Sequence, residues 1–181
     1  MEVFFQEQCP MPQLTVSCHH AAEAIPQGAW ARLCPPGHPF LNGDFLRVLE
    51  THGAAGRACG WLARHLTATD ENGVVRGILP LYVRFNSHGD FIHDWSWAAA
   101  YQQLGRPYYP KLLRGLPHTP ATGPRLLTGA ADTDRTAVRR ALIDGALALA
   151  AEFGVSSWHV AFPDDEDRSH LHDAGLLTSH N

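Results

Sequence analysis

One turn constrains the fold of this chain before anything else does. Asp70-Glu71-Asn72-Gly73 separates two runs of strand character, Trp61–Thr69 and Val74–Phe85. Asn-Gly is the strongest short-range hairpin signal, because both residues enter the left-handed backbone region that tight turns demand. In the first run Trp61, Ala63 and His65 alternate with Leu62, Arg64 and Leu66, the period of a strand. The second run contains Pro80, which has no N–H to give a ladder, so that strand must be bulged or unpaired there. The chain therefore contains an antiparallel sheet.

The flanking sequence adds helices to that sheet. Leu14–Ser17 alternates weakly and reads as a short edge strand. Pro26 and Gly28 break Ala21–Leu33, and Cys34-Pro35-Pro36-Gly37 is a firm stop. Pro39–His52 reads as one helix with a stripe of Phe40, Leu41, Phe45, Val48 and Leu49, closed by Gly53. Leu116–Pro124 is a Pro- and Gly-rich loop, and Arg125–Thr128 a short strand. A long helix capped by Asp132 or Thr133 runs to Phe153, with Val138, Leu142, Ile143, Ala146 and Leu149 on one face and Gly154 at its end. Val155–Phe162 reads as a strand and Asp164–Ala174 as an acidic-capped helix. Leu176-Leu177-Thr178 reads as the start of a further strand that is cut short. This order predicts an α/β (α+β) domain with a mixed sheet.

Bulk properties exclude several functions. The chain has 181 residues, enough for one domain with a real core. A net charge of -4 argues against a nucleic-acid duplex as partner, because phosphate binding needs a basic surface. No stretch approaches the length of a membrane span, and the Met-Glu start lacks a basic n-region. Cys9, Cys18, Cys34 and Cys59 form no Cys-x-x-Cys pair, so reduced thiols and a cytoplasmic location are expected. Residues 1–12 read as an N-terminal extension, and Met11 is a second candidate start.

The densest chemistry lies between Phe91 and Tyr109. Six aromatic side chains are interleaved there with His93, Asp94 and Arg106. Aromatics shape cavities and a few polar groups orient ligands, so the segment reads as a pocket wall. The plainer alternative is a core loop whose Tyr and Trp tips find hydrogen bonds. Lys111 follows closely and is the only lysine in the chain.

Several motifs together carry a family resemblance. They are His38-Pro39-Phe40-Leu41, Gly60-Trp61, Leu79-Pro80-Leu81-Tyr82, Asp94-Trp95-Ser96-Trp97-Ala98 with Tyr101, Tyr108-Tyr109-Pro110-Lys111-Leu112, and Thr119-Pro120 with Gly123-Pro124-Arg125-Leu126-Leu127. With them the chain resembles the FemAB-like predicted N-acyltransferases of the Gcn5-related acyltransferase superfamily, from about Leu14 to Leu177. The resemblance implies an acyl-CoA N-acyltransferase-like fold over residues 13–181: a twisted mixed sheet flanked by helices, the first of a tandem pair in longer relatives. It also implies transfer of an acyl or aminoacyl group to an amine of a small molecule or peptidoglycan precursor. Relatives are longer, so a truncated form is expected, with a missing C-terminal acyltransferase domain or self-association through an open edge.

Amide formation needs a base, a polarised carbonyl and an acid for the leaving group. Asp94 and His93 are the base candidates, and a carboxylate among aromatics should have a raised pKa. The alternative for Asp94 is a local turn cap. Trp95, Trp97, Tyr101, Arg106, Tyr108, Tyr109 and Lys111 are the candidate substrate-binding residues. The resemblance points to acyl-CoA or an aminoacyl-tRNA as donor. The superfamily's CoA loop, however, needs glycine where Thr128 stands in Arg125-Leu126-Leu127-Thr128-Gly129-Ala130, so this loop does not support a CoA site. No metal is expected: His93, Asp94 and His118, or His170 and His172, lack zinc spacing. A non-catalytic binding module that uses the same aromatic pocket is the competing hypothesis.

Overall fold

The computed structural model describes residues 13–88, 90–91, 94–129 and 134–179. His93, the extension 1–12 and the proposed caps Asp132 and Thr133 lie outside the described residues. Among the described residues the chain forms eight strands and five α-helices in an α+β arrangement.

The hairpin is present, and it is split. Its first arm divides into β2 (Trp61–Ala63) and β3 (His65–Thr69), and its second into β4 (Val75–Leu79) and β5 (Tyr82–Arg84). β3 and β4 pair antiparallel in one sheet, while β2 and β5 pair antiparallel in another. Pro80 sits at the division in the returning arm. It cannot continue the ladder, so the two arms bend together and pass from one sheet to the next. Two contacts hold the bend: Arg64 N–H donates to the Leu81 carbonyl at 2.8 Å, and Leu81 N–H donates to His65 Nδ1 at 3.0 Å. At the tip, Gly73 takes φ 77° and Asp70 Oδ1 accepts from the Asn72 and Val74 N–H groups at 3.0 and 2.9 Å.

The single mixed sheet expected from the sequence is therefore two four-stranded sheets. The first has the order β1-β3-β4-β7 and is antiparallel throughout, with β1 at Thr15–His19 and β7 at Leu127–Thr128. The second has the order β2-β5-β6-β8. Its β6 (Lys111–Arg114) runs antiparallel to β5 and parallel to β8 (Trp158–Val160).

Side-chain alternation then assigns the layers. Ile78 of β4 faces α1 (Gln27–Leu33) and α2 (Gly43–Thr51), packing with Trp30, Leu33, Leu41 and Leu46. Its neighbour Leu79 faces the other way, into a core with Val138, Leu142, Ile143 and Ala146 of α4 (Arg135–Phe153). The same core takes in Leu112 from the second sheet and Leu171 of α5 (Asp165–Asp173). Trp61, Ala63, Tyr82 and Leu113 form a third, smaller cluster.

Three expectations need correction. Pro39–His52 is not one helix: Pro39–Leu41 is a 3-10 turn, and Asn42 takes extended backbone and caps α2, accepting from Asp44 N–H at 2.9 Å. The rotated frame buries Leu46 and leaves Phe40 and Val48 exposed, while Leu41, Phe45 and Leu49 of the expected stripe still pack on the core. Leu176–Thr178 forms no strand, and Leu177 is 98% exposed. Only Leu176 turns back against the core. By contrast α4 ends where expected, with Gly154 at φ 57°, and Asp164 caps α5 by accepting from Asp167 N–H at 2.9 Å.

Candidate functional site

The second sheet ends in a buried polar cluster. β5 finishes at Arg84, opposite Lys111 at the start of β6, and β8 begins alongside. The chain between β5 and β6 folds over this end and carries α3 (Trp95–Gln103). Nothing in the residue pattern predicts a helix in this segment. Trp-Ser-Trp lacks an amphipathic pattern, and none of the residues of α3 is buried.

Asp94 stands at the N-cap of α3, yet its side chain makes no cap bond. It turns inward and is 2% exposed. The Lys111 ammonium, 1% exposed, donates to Asp94 Oδ2 in a buried ion pair. The Tyr108 hydroxyl donates to the same oxygen at 2.9 Å. The Tyr109 hydroxyl lies 3.3 Å from Asp94 Oδ1 and 2.7 Å from Ser87 Oγ. The rings of Tyr108 and Tyr109 lie 5.2 and 5.6 Å from the ammonium and add cation–π attraction. Tyr101 packs edge-on against Tyr108 at 5.2 Å.

Next to this pair is a second one. Arg84, fully buried, binds Asp90 through Nε at 3.2 Å and Nη2 at 2.8 Å. Its Nη1 donates to the Gly60 carbonyl at 2.6 Å, and its guanidinium lies 3.8 Å over the Trp61 ring. The cluster thus holds two cations and two carboxylates and is formally neutral. Donors remain unfilled, however. An ammonium has three N–H groups, and among the described residues Asp94 alone accepts from Lys111.

The electrostatics correct one expectation. Burial pushes the Asp94 carboxyl up, but hydrogen bonds from Lys111 and Ser87, the ammonium charge and Tyr108 outweigh it. The net pKa lies below the usual carboxylate value, not above it. Tyr108 goes the other way: burial and its bond to anionic Asp94 raise the phenol, which stays protonated. His159 of β8 packs edge-on to Tyr108 at 6.1 Å, and its Nε2 lies 2.8 Å from Ser157 Oγ. Burial first, then the positive charge of Lys111, lowers its pKa to about 4, so the imidazole is neutral at neutral pH.

The structure thus brings together Asp94, Tyr101, Tyr108, Tyr109 and Lys111 from the sequence-derived set. Trp95 and Trp97 are 64% and 58% exposed on the outer side of α3, and Arg106 is exposed beyond its end. His118 is apart from Asp94: its Nε2 donates to the Ala54 carbonyl at 2.9 Å and its ring tilts over Trp61. Thr128 is buried in β7, opposite Gly77. Sequence reasoning missed Ser87, the Arg84–Asp90 pair, Ser157 and His159. Alternation along β8 put Ser157 and His159 on one face, but nothing local shows that β8 lies beside β6.

The chain belongs to the FemAB-like family, described as acting in peptidoglycan biosynthesis/recognition, whose model matches residues 21–181. No curated protein sequence matches the chain. No helix among the described residues is long and apolar enough to cross a membrane.

Proposed function

We propose that the Asp94–Lys111 cluster is an acyl-transfer site, at which an acyl or aminoacyl group passes to an amine of a peptidoglycan precursor. The observation that carries this reading is the buried Lys111 ammonium, with one of its three donors filled among the described residues. Unfilled donors in a buried site are costly and point to an acceptor supplied by a ligand. A carbonyl oxygen that gains negative charge during transfer suits them, because preorganised donors act most strongly on developing charge.

The remaining groups take complementary roles. Asp94, held ionised, fixes Lys111 and the tyrosines rather than serving as a free base. His159, neutral with a pKa of about 4, is too weakly basic to take a proton from an ammonium, so the acceptor reacts as the free amine. The amine nitrogen then forms a bond to the acyl carbon, the bond to the donor's ester or thioester atom breaks, and that atom takes a proton. The donor class is an acyl-CoA or an aminoacyl-tRNA. A second reading, ligand recognition without transfer, is favoured by the pairing of Asp94 with Lys111, which leaves no unpaired carboxylate base at the site.

Calorimetric titration with a peptidoglycan stem peptide bearing a free side-chain amine, followed by a transfer assay with acetyl-CoA and aminoacyl-tRNA, tests both. Saturable binding that falls at least about tenfold in Tyr109→Phe and Lys111→Met supports the site, since each removes a charge-linked contact. Binding without transfer from either donor selects the recognition reading. No saturable binding by the folded chain, or equal binding by both variants, sinks the assignment.

A further inference from the structure

A second group of buried cations lies at the opposite end of β6. Arg114 closes that strand about 10 Å from Lys111 along the chain. Arg114 and Arg125 are both fully buried. Arg125 donates from Nε to the Ala161 carbonyl at 2.7 Å, from Nη1 to the Pro124 carbonyl at 3.3 Å, and from Nη2 to the Ala121 carbonyl. That fills three of the five N–H donors of a guanidinium, all with neutral acceptors. Arg114 donates to the Arg125 and Gly115 carbonyls, and its Nη2 has no partner among the described residues. Among the described residues, no carboxylate ion-pairs with either guanidinium. The nearest buried carboxylate, Asp167, is used by the Arg125 and Leu126 N–H groups and, at 3.2 Å, by Arg139. Asp167 acts on both guanidiniums through space, and Asp164 on Arg125, but neither carboxylate contacts them, so the buried positive charge is only partly offset and an added anion would complete it.

A cavity opens against this charge. It measures about 190 Å³ and lies between the 37–41 turn and the 116–125 loop. Phe40, Leu116 and Ala121 give it apolar walls, His38 and Thr122 are also in its lining, and Arg125 contributes to its wall. No acidic residue lines it. Two of the carbonyls that hold Arg125 belong to the 116–125 loop itself, so an entering anion displaces neutral loop contacts rather than an ion pair.

We propose that this cavity binds a small carboxylate with a short apolar chain, its carboxylate on Arg125 and its chain between Phe40 and Leu116. The apolar lining favours a singly charged, partly apolar anion over phosphate, which needs more donors than one guanidinium offers. The site is separate from the Asp94–Lys111 cluster and does not depend on transfer there.

The test is titration of the full chain with butyrate, acetate and inorganic phosphate, followed by calorimetry and by the NMR signal of Arg125 Nε–H. Butyrate should bind saturably and about tenfold tighter than acetate, the effect of two buried methylenes. Phosphate should bind more weakly than butyrate. Thr122 is exposed, so its variants spare the core. Thr122→Glu should weaken butyrate about tenfold by placing a negative charge at the cavity, while Thr122→Gln leaves it unchanged. No saturation by folded chain, equal affinity for acetate and butyrate, phosphate binding as tight as butyrate, or indifference to Thr122→Glu would each overturn the proposal.

Discussion

At the scale of single residues, the protein spends burial on charge. Lys111, Asp94 and Arg84 are each at most 2% exposed, and each has a partner of opposite sign. Such pairs add little net stability compared with apolar side chains of the same volume, so keeping them in a site is more informative than their energy. His159 makes the residue scale measurable. Its folded pKa, about 4, lies below the unfolded value, so the unfolded chain binds the proton more readily. The sign follows: stability is fully present above about pH 6.5 and is lost as pH falls toward 4. We expect a loss of about 3 kcal/mol across that window, with His159→Gln flattening it. Urea titrations from pH 7 to 4 check this, and an NMR titration showing His159 protonating near pH 6.5 in the folded state would contradict it.

At the scale of elements, close approach of backbone to helix is decisive. α4 lies so near β4 that a Cβ at Gly77 would collide with Val138 and sit 3.0 Å from Leu142. Gly77 does not have a positive φ, so the requirement is space rather than conformational freedom. Gly77→Val should therefore cost about 1–3 kcal/mol by forcing α4 off the sheet, despite valine's preference for strands. A urea midpoint equal to or above that of the wild type would show that α4 yields freely. Glu50 gives α2 a comparable anchor. Its carboxylate accepts from His65 Nε2 at 2.7 Å, Tyr82 hydroxyl at 2.8 Å and Ala22 N–H at 2.7 Å. One side chain thus ties a helix to both halves of the divided hairpin.

At the scale of the whole molecule, Asp167 of α5 joins the layers. It is fully buried, accepts from the backbone before β7, and pairs with Arg139 of α4 at 3.2 Å. Removing it leaves Arg139 with exposed Glu166 alone and two backbone donors unfilled. Asp167→Ala should cost about 3–5 kcal/mol, the usual penalty for stranding a buried charge. Equilibrium unfolding checks it, and a change below about 1 kcal/mol would mean that the contacts re-form elsewhere.

The sequence by itself determined what local chemistry dictates. Asn72-Gly73 made the hairpin, Pro80 broke its returning arm, Gly154 ended α4 and Asp164 began α5, because turns and caps depend on a few neighbouring residues. The motif-bearing residues Asp94, Tyr108, Tyr109 and Lys111 were also legible as a group. Tertiary structure alone decided the rest. That the hairpin serves two sheets, that Leu46 rather than Val48 is buried, that Leu176–Thr178 forms no strand, and that Asp94 is paired and acidic rather than raised all depend on partners distant in sequence. His159 comes under the charge of Lys111 because β8 pairs with β6 across a separation that no local pattern encodes. The physical reason is the range of the forces. Backbone conformation is set within a few residues, whereas burial, and with it charge pairing and pKa, is set by whichever segment packs on top.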